Sequence, residues 1–368
     1  MRDQALESIE IEGFLSIRSA KVTLGSLNVL IGANGAGKSN FVRAFEFLGR
    51  VADEELGLFV GLNGGASALL HDGGNKRIRF GIVASSASYD SVFVASADDG
   101  LVFEEEAIGY LGASPYWEAL ASGGRRESRL VAGAGGQTGA KLLDLLRGSR
   151  AFHFHDTSPT APPKQFTSTA DNLTLRNNAG NLAAVLLDLR DSDDDAKSAA
   201  YRRVVGAVRQ VAPFFRDFVL RPENNDRIRL RWRQTGSDAV FSADQMSDGT
   251  LRFVCLATLL LQPALPELVV LDEPELGLHP FAIVQLADLL RQASTRSQVL
   301  FATQSVTLVS QFELADLIVA ERHDGASEFR RPDPEPLAQW LAEYSLGELW
   351  EKNLLGGRPH REDRGVDG

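Results

Sequence analysis

The chain has 368 residues and a formal net charge of 38 − 49 = −11, with 44% hydrophobic and 24% charged residues. That apolar content excludes dominant disorder, the single cysteine excludes a disulfide scaffold, and no run of 18 apolar residues exists to span a membrane. The expected setting is a reducing cytoplasm, since residues 1–4 lack a signal-peptide core, and the acidic balance disfavours indiscriminate coating of nucleic acid while allowing a local basic stripe.

Ile9 and Ile11 alternate with Ser8, Glu10 and Glu12, which predicts a half-buried strand. Residues 20–24 and 27–31 predict two more. After a glycine-rich turn, Phe41, Ala44, Phe45 and Leu48 recur at helical spacing, so 27–49 reads strand, glycine loop, helix. Residues 50–155 read as mostly β, from alternations such as Ile78-Phe80-Ile82 and Val92-Val94. The run Glu104-Glu105-Glu106 is expected on a solvated edge. Residues 111–140 are expected to loop, with 133–139 a flexible glycine cluster, before a short helix at 141–146 and a strand at 151–155.

Residues 172–211 are expected to be helical, with Leu182, Val185, Leu186 and Leu189 on one apolar face and Val204, Val205, Val208 and Val211 on another. No heptad repeat is sustained, so no long coiled coil is expected. Asp191, Asp193 and Asp195 mimic the opening of a calcium loop, but Ala196 and Arg202 stand where Gly and Glu are required, so an acidic helix connection is expected. Residues 217–242 predict a hairpin. From 250 the chain alternates helix and strand, the rhythm of an α/β layer. The tail from Gly356 is expected to be loose.

The octapeptide Gly32-Ala33-Asn34-Gly35-Ala36-Gly37-Lys38-Ser39 satisfies G-x-x-x-x-G-K-[ST] between a strand and a helix. Glycines let backbone N–H groups wrap phosphates, and the helix N-terminus adds partial positive charge. Lys38 would reach the β- and γ-phosphates and Ser39 would bind Mg²⁺. The run 268–271 is four apolar residues ending in Asp272 and Glu273, a buried parallel strand that delivers two acids. Asp272 would hold the metal and Glu273 would polarise an attacking water. Met246-Ser247-Asp248-Gly249-Thr250 precedes an apolar helix; Ser247 is either a plain N-cap or part of an anion site.

With these motifs in this order, and Thr303-Gln304-Ser305 after a later strand, the chain resembles the ABC-type ATPase heads. The segments 9–14, 274–280 and 340–350 sharpen the resemblance to RecF-like ATPases, soluble relatives of DNA-repair and chromosome-structure heads. The resemblance implies an α/β fold: an ABC-type head with a β-rich first lobe over 1–170, a short helical insert over 171–216, a second lobe over 217–350 and a tail over 351–368. It implies ATP and Mg²⁺ as cofactors, with Asn34, Gly35, Gly37, Lys38, Ser39 and Asn40 on the nucleotide. Ser39 and Asp272 would serve the metal, Glu273 and Gln304 the chemistry, and Ser247 and Gly249 the nucleotide of a partner head. ATP would close a homodimer. Gln304 stands where most such heads carry a histidine, so turnover is expected to be slow, since glutamine cannot carry charge. Arg18 is the nearest candidate for a basic residue after the early Phe14. The first-lobe glutamine that touches Mg²⁺ has only Gln165 as a candidate.

Arg227, Arg229, Arg231 and Arg233 alternate with Ile228, Leu230 and Trp232, which puts four guanidinium groups on one strand face. They could track a phosphate backbone, but a solvated face paired with Glu223, Asp226 or Asp238 is the favoured reading. His153, His155 and Asp156 resemble a metal trio, yet no fourth ligand is suggested by spacing. His279 is either an interface residue, by resemblance, or a surface loop histidine. Cys255 is expected in the core. Two functional readings follow: an ATPase in DNA repair or another DNA-linked process that clamps duplex DNA, or an ATP-gated regulator of a separate effector in phage defence. No further domain is expected within the residues after Glu273, so a nuclease effector is expected to act in trans. A transporter ATPase is a third, disfavoured reading.

Overall fold

The computed structural model of the chain describes residues 5–71, 76–85, 87–111, 115–223 and 226–357. The chain divides into two compact units, the first made of 1–151, 266–270 and 298–368 and the second of 152–265 and 271–297. Both chain ends therefore build the first unit.

The first unit holds an antiparallel sheet with strand order Ile17–Thr23, Leu6–Phe14, Arg77–Ala84, Ala87–Ala95, Leu101–Tyr110, Tyr116–Arg125. Alternation puts Ile9, Ile11, Ile78, Phe80 and Ile82 on its buried face. The helix Lys38–Ala52 packs its apolar stripe there, with Phe47 stacked on Phe80 at 4.9 Å and set edge-on to Phe93 at 5.0 Å.

A second sheet has the order Ala326–Arg330, Leu317–His323, Leu27–Ile31, Gln298–Thr303, Leu268–Asp272, Ser149–Phe152. Leu27–Ile31 is fully buried and lies parallel to both Gln298–Thr303 and Leu317–His323, as expected for strands covered on both faces. Leu268–Asp272 leaves the first unit at Val270 and carries Leu271 and Asp272 into the second.

The second unit is mainly helical. Leu182–Asp191, Asp195–Val211, Asp248–Leu261 and Pro280–Ser294 bury apolar faces against one another. A three-stranded sheet, Phe215–Phe218, Arg231–Gln234 and Val240–Ser242, packs Trp232 against Phe215 and Phe241.

Several local expectations are corrected. The interval 50–155 is less β-rich than read, since Leu56–Leu62 and Ala66–Leu69 are helices. Within the expected loop 111–140 runs the strand Tyr116–Arg125, and the next helix starts at Gly136 rather than 141. Its glycines and alanines hid an edge strand whose order comes from pairing with Leu101–Tyr110. Glu106 is not on a solvated edge. Register shifts around it turn its carboxylate inward, where it accepts from the Tyr89 hydroxyl at 2.9 Å, the Arg129 N–H at 2.8 Å and the Ser128 hydroxyl. The helical interval 172–211 begins only at Leu182, and the hairpin read over 217–242 is the three-stranded sheet just described, with Arg227–Ile228 pairing instead with Thr167–Ser168. Of the tail, Gly356 and Gly357 are held in place, with the Gly357 N–H on Glu321 at 2.8 Å and Arg330 on the Leu355 carbonyl. The rest of the tail and residues 1–4 lie outside the described residues.

Candidate nucleotide site

In the first unit, the turn after Leu27–Ile31 is shaped by its glycines. Gly35 and Gly37 have φ of 79° and 102°. A Cβ at Gly32 would strike the Ala320 carbonyl, and one at Gly37 would strike Ser327. Gly37 is the N-cap of Lys38–Ala52 and offers no side-chain cap, so the first-turn N–H groups face outward for an anion. Lys38 is only 5% exposed, and its ammonium donates to the carbonyls of Gly32 at 2.7 Å and Ala33 at 2.9 Å. Asn34, Gly35 and Ser39 are exposed on the loop and first turn. Asn40 instead donates to the Ser16 hydroxyl at 2.7 Å, and Ser16 bonds Ser327 at 2.7 Å. This serine pair anchors the helix start under the loop.

Thr303 pairs with Ile31 across the parallel strands, so Gln304 leaves the sheet level with Gly32. Gln304 is exposed, at the carboxyl ends of strands where open α/β sheets bind ligands. Arg18 donates to the Asp324 carbonyl at 3.0 Å, so its guanidinium serves a hairpin turn in the same unit.

In the second unit, Asp272 ends its strand and Glu273 follows in the left-handed region, with φ of 42°. Such a conformation is strained for a non-glycine residue and re-aims the chain at this point. Oδ1 of Asp272 is buried and has no hydrogen-bond partner among the described residues. An orphaned carboxylate oxygen is costly unless a cation meets it, so the donor set fits Mg²⁺.

Ser247 caps the helix Asp248–Leu261, accepting from the Thr250 N–H at 3.3 Å. Gly249 has a further reason to be glycine: a Cβ there would lie 2.5 Å from the Gly277 carbonyl oxygen. The first turn of this helix thus abuts the loop after Glu273. His279 caps Pro280–Ser294 by accepting from the Phe281 N–H.

Two residues that sequence reasoning did not assign to the site join it here. Arg252, 7% exposed, donates from Nε to the Phe154 carbonyl and from Nη2 to the His155 carbonyl, both at 3.0 Å, and from Nη1 to the Leu276 carbonyl. His155 feels both Asp272 and Glu273. Burial pushes its imidazole below the ordinary range and Arg252 and His153 add to this, against the upward pull of the two carboxylates. Gln165, the sequence candidate for the metal-side glutamine, is exposed and donates to the Pro159 carbonyl at 3.1 Å.

Asp156 is taken up by the Ser158 N–H at 2.9 Å, and no group of three metal-ligating side chains exists among the described residues. Asp194 caps the helix Asp195–Val211, and Asp191 pairs with Arg190 at 2.5 Å. Cys255 is buried, which pushes its thiol up to about 12. The arginine stripe alternates as expected, with Ile228, Leu230 and Trp232 buried. Arg229 and Arg231 pair with Glu223, and the Arg227 and Arg229 guanidinium groups sit over the Phe166 ring at 5.2 and 4.9 Å. No described helix is long and apolar enough to cross a membrane.

The fold resembles solved Smc head domains. An Smc head bound to the C-winged helix domain of ScpA superposes with a TM-score of 0.56 at 15% identity, covering 91% of this chain and 99% of that one. An Smc head with an extended coiled coil, bound to the C-terminal domain of ScpA and derived from Pyrococcus furiosus, gives 0.52 at 16% identity, covering 92% and 99%. The chain therefore has the α/β fold of these heads, without a long coiled coil among the described residues. No curated protein matches the chain in sequence. The family described as "AAA domain, putative AbiEii toxin, Type IV TA system" matches residues 27–310, from the strand that feeds the phosphate loop to beyond Gln304. That interval is most of the chain, and the protein belongs to this family of AAA-type ATPase domains.

Proposed function

We infer that the protein binds ATP with Mg²⁺, hydrolyses it, and uses the cycle to close and open a homodimer in a DNA-linked process. The observation that carries this reading is the phosphate loop: positive-φ glycines, an uncapped helix N-terminus and a lysine held over the loop. Lys38 and the loop N–H groups would hold the phosphates, with Asn34 and Gly35 at the rim. Ser39 and Asp272 would hold Mg²⁺, which when bound supplies charge stabilisation to the phosphoryl oxygens. Glu273 would orient the attacking water, and exposed Gln304 would donate to the γ-phosphate without carrying charge. Ser247 and Gly249 would complete the nucleotide site of a second copy.

Light scattering with ATP on a Glu273→Gln variant tests the cycle. Blocking hydrolysis should trap the closed dimer, and a protein that stays monomeric at high concentration would sink the dimer reading. Steady-state hydrolysis titrated with duplex DNA tests the process, with stimulation that fades as salt rises expected.

A second reading is an ATP-gated regulator of a separate effector in defence against phage. Two observations favour it: the family description names a toxin of a toxin–antitoxin system, and Glu223 already neutralises part of the arginine stripe. Hydrolysis indifferent to DNA, with a co-purifying effector, would select it.

A further inference from the structure

The segment His153-Phe154-His155-Asp156 was singled out by its sequence and is only partly used by the site described above. Its backbone is fixed from outside: Arg252 holds the carbonyls of Phe154 and His155 while also holding that of Leu276, three residues beyond Glu273. The backbone that carries His155 therefore cannot drift relative to the loop after Glu273 without breaking charge-assisted bonds. Its Nδ1 is buried and, among the described residues, makes no hydrogen bond, as is also true of Oδ1 of Asp272. Two orphaned polar atoms in one neighbourhood call for a shared polar occupant. The His153 ring lies 6.4 Å from that of His155, centroid to centroid, too far to take the hydrogen bond.

We propose that His155 is a positioning residue for the hydrated divalent cation, its Nδ1 accepting a hydrogen bond from a metal-bound water beside Asp272 and Glu273. The proposal rests on the reading of Asp272 as a metal-holding residue. Mg²⁺ keeps several of its waters and prefers oxygen ligands, so an imidazole belongs in the outer layer rather than on the ion. Each metal-bound water is a strong donor, and the unpartnered Nδ1 of an imidazole offers one lone pair to it. Partners of this outer kind commonly tune metal affinity by about tenfold or more.

The test is ATP binding to the full chain by titration calorimetry, with Mg²⁺ and with a chelator. In the unaltered protein Mg²⁺ should tighten ATP binding. His155→Ala should lose about tenfold of that tightening, read as the ratio of its own affinities with Mg²⁺ and with chelator. His155→Asn should restore most of the loss, because its Oδ1 falls near the Nδ1 position, whereas His155→Gln should not. Equal Mg²⁺ dependence in His155→Ala and the unaltered protein would overturn the proposal. So would rescue by Gln but not Asn. If the unaltered protein bound no ATP in either condition, the nucleotide reading itself would fall. Circular dichroism on the Asn variant, which keeps a polar side chain, separates a lost contact from a lost fold.

Discussion

Lys38 concentrates the chemistry of the phosphate loop in one side chain. A buried ammonium is expensive unless it is hydrogen-bonded, and two loop carbonyls meet it. Its rotamer entropy is thus already spent before any phosphate arrives. Replacing it with methionine removes charge-assisted hydrogen bonds of about 1.5–3 kcal/mol each. Lys38→Met should weaken ATP binding by about ten- to a hundredfold, measured by calorimetry at fixed Mg²⁺. Unchanged affinity would mean that the loop holds no phosphate. The loop was legible in sequence because glycine spacing and a lysine carry the mechanism locally, within eight residues. Asn40 shows the limit of such reading. Its neighbour Ser39 is exposed on the first turn, while Asn40 is turned to Ser16, a partner 24 residues earlier that no local pattern announces.

At the scale of elements, the helix Asp248–Leu261 illustrates why some of the site was not legible. Its apolar run was plain, and its residues from Thr250 to Leu261 are all buried, Arg252 among them. A buried arginine in such a helix reads as an exception until its partners are known. Those partners lie 98, 97 and 24 residues away. They tie the helix to the 154–155 segment and to the loop after Glu273. Arg252→Met keeps the stem and leaves three carbonyls without their donor. At about 1–3 kcal/mol for each unsatisfied group, partly relieved by water, the cost should be about 2–4 kcal/mol. Urea unfolding reads it, and Arg252→Lys should fall between, since an ammonium cannot span the fork. A methionine variant within 1 kcal/mol of the unaltered protein would remove the strut. Glu106 and the strand Tyr116–Arg125 were hidden for a related reason. A register shift and an edge pairing are decided between strands, and composition alone cannot see them.

For the whole molecule, the balance of charge sets what can be bound. With a net charge of −11, long-range attraction to DNA must come from a local surface. The arginine stripe is the candidate that the sequence offers, and its four residues are not equal. Arg229 and Arg231 share Glu223, so each binds phosphate only by giving up an ion pair. Arg227 is exposed and rests over Phe166, which leaves its charge available to a ligand at the cost of a modest cation–π contact. If duplex DNA is bound through this face, Arg227→Glu should weaken binding several-fold at low salt. It should also lower the slope of log affinity against log salt by about one, the loss of one neutralised phosphate. Glu223→Gln should act in the opposite direction, because it frees two guanidinium groups at once. Fluorescence anisotropy on a short duplex at two salt concentrations measures both. Opposite shifts would assign the face to nucleic acid. No change in either variant would remove the stripe from the DNA reading, and the acidic surface would then favour a protein effector as the target of the ATP cycle.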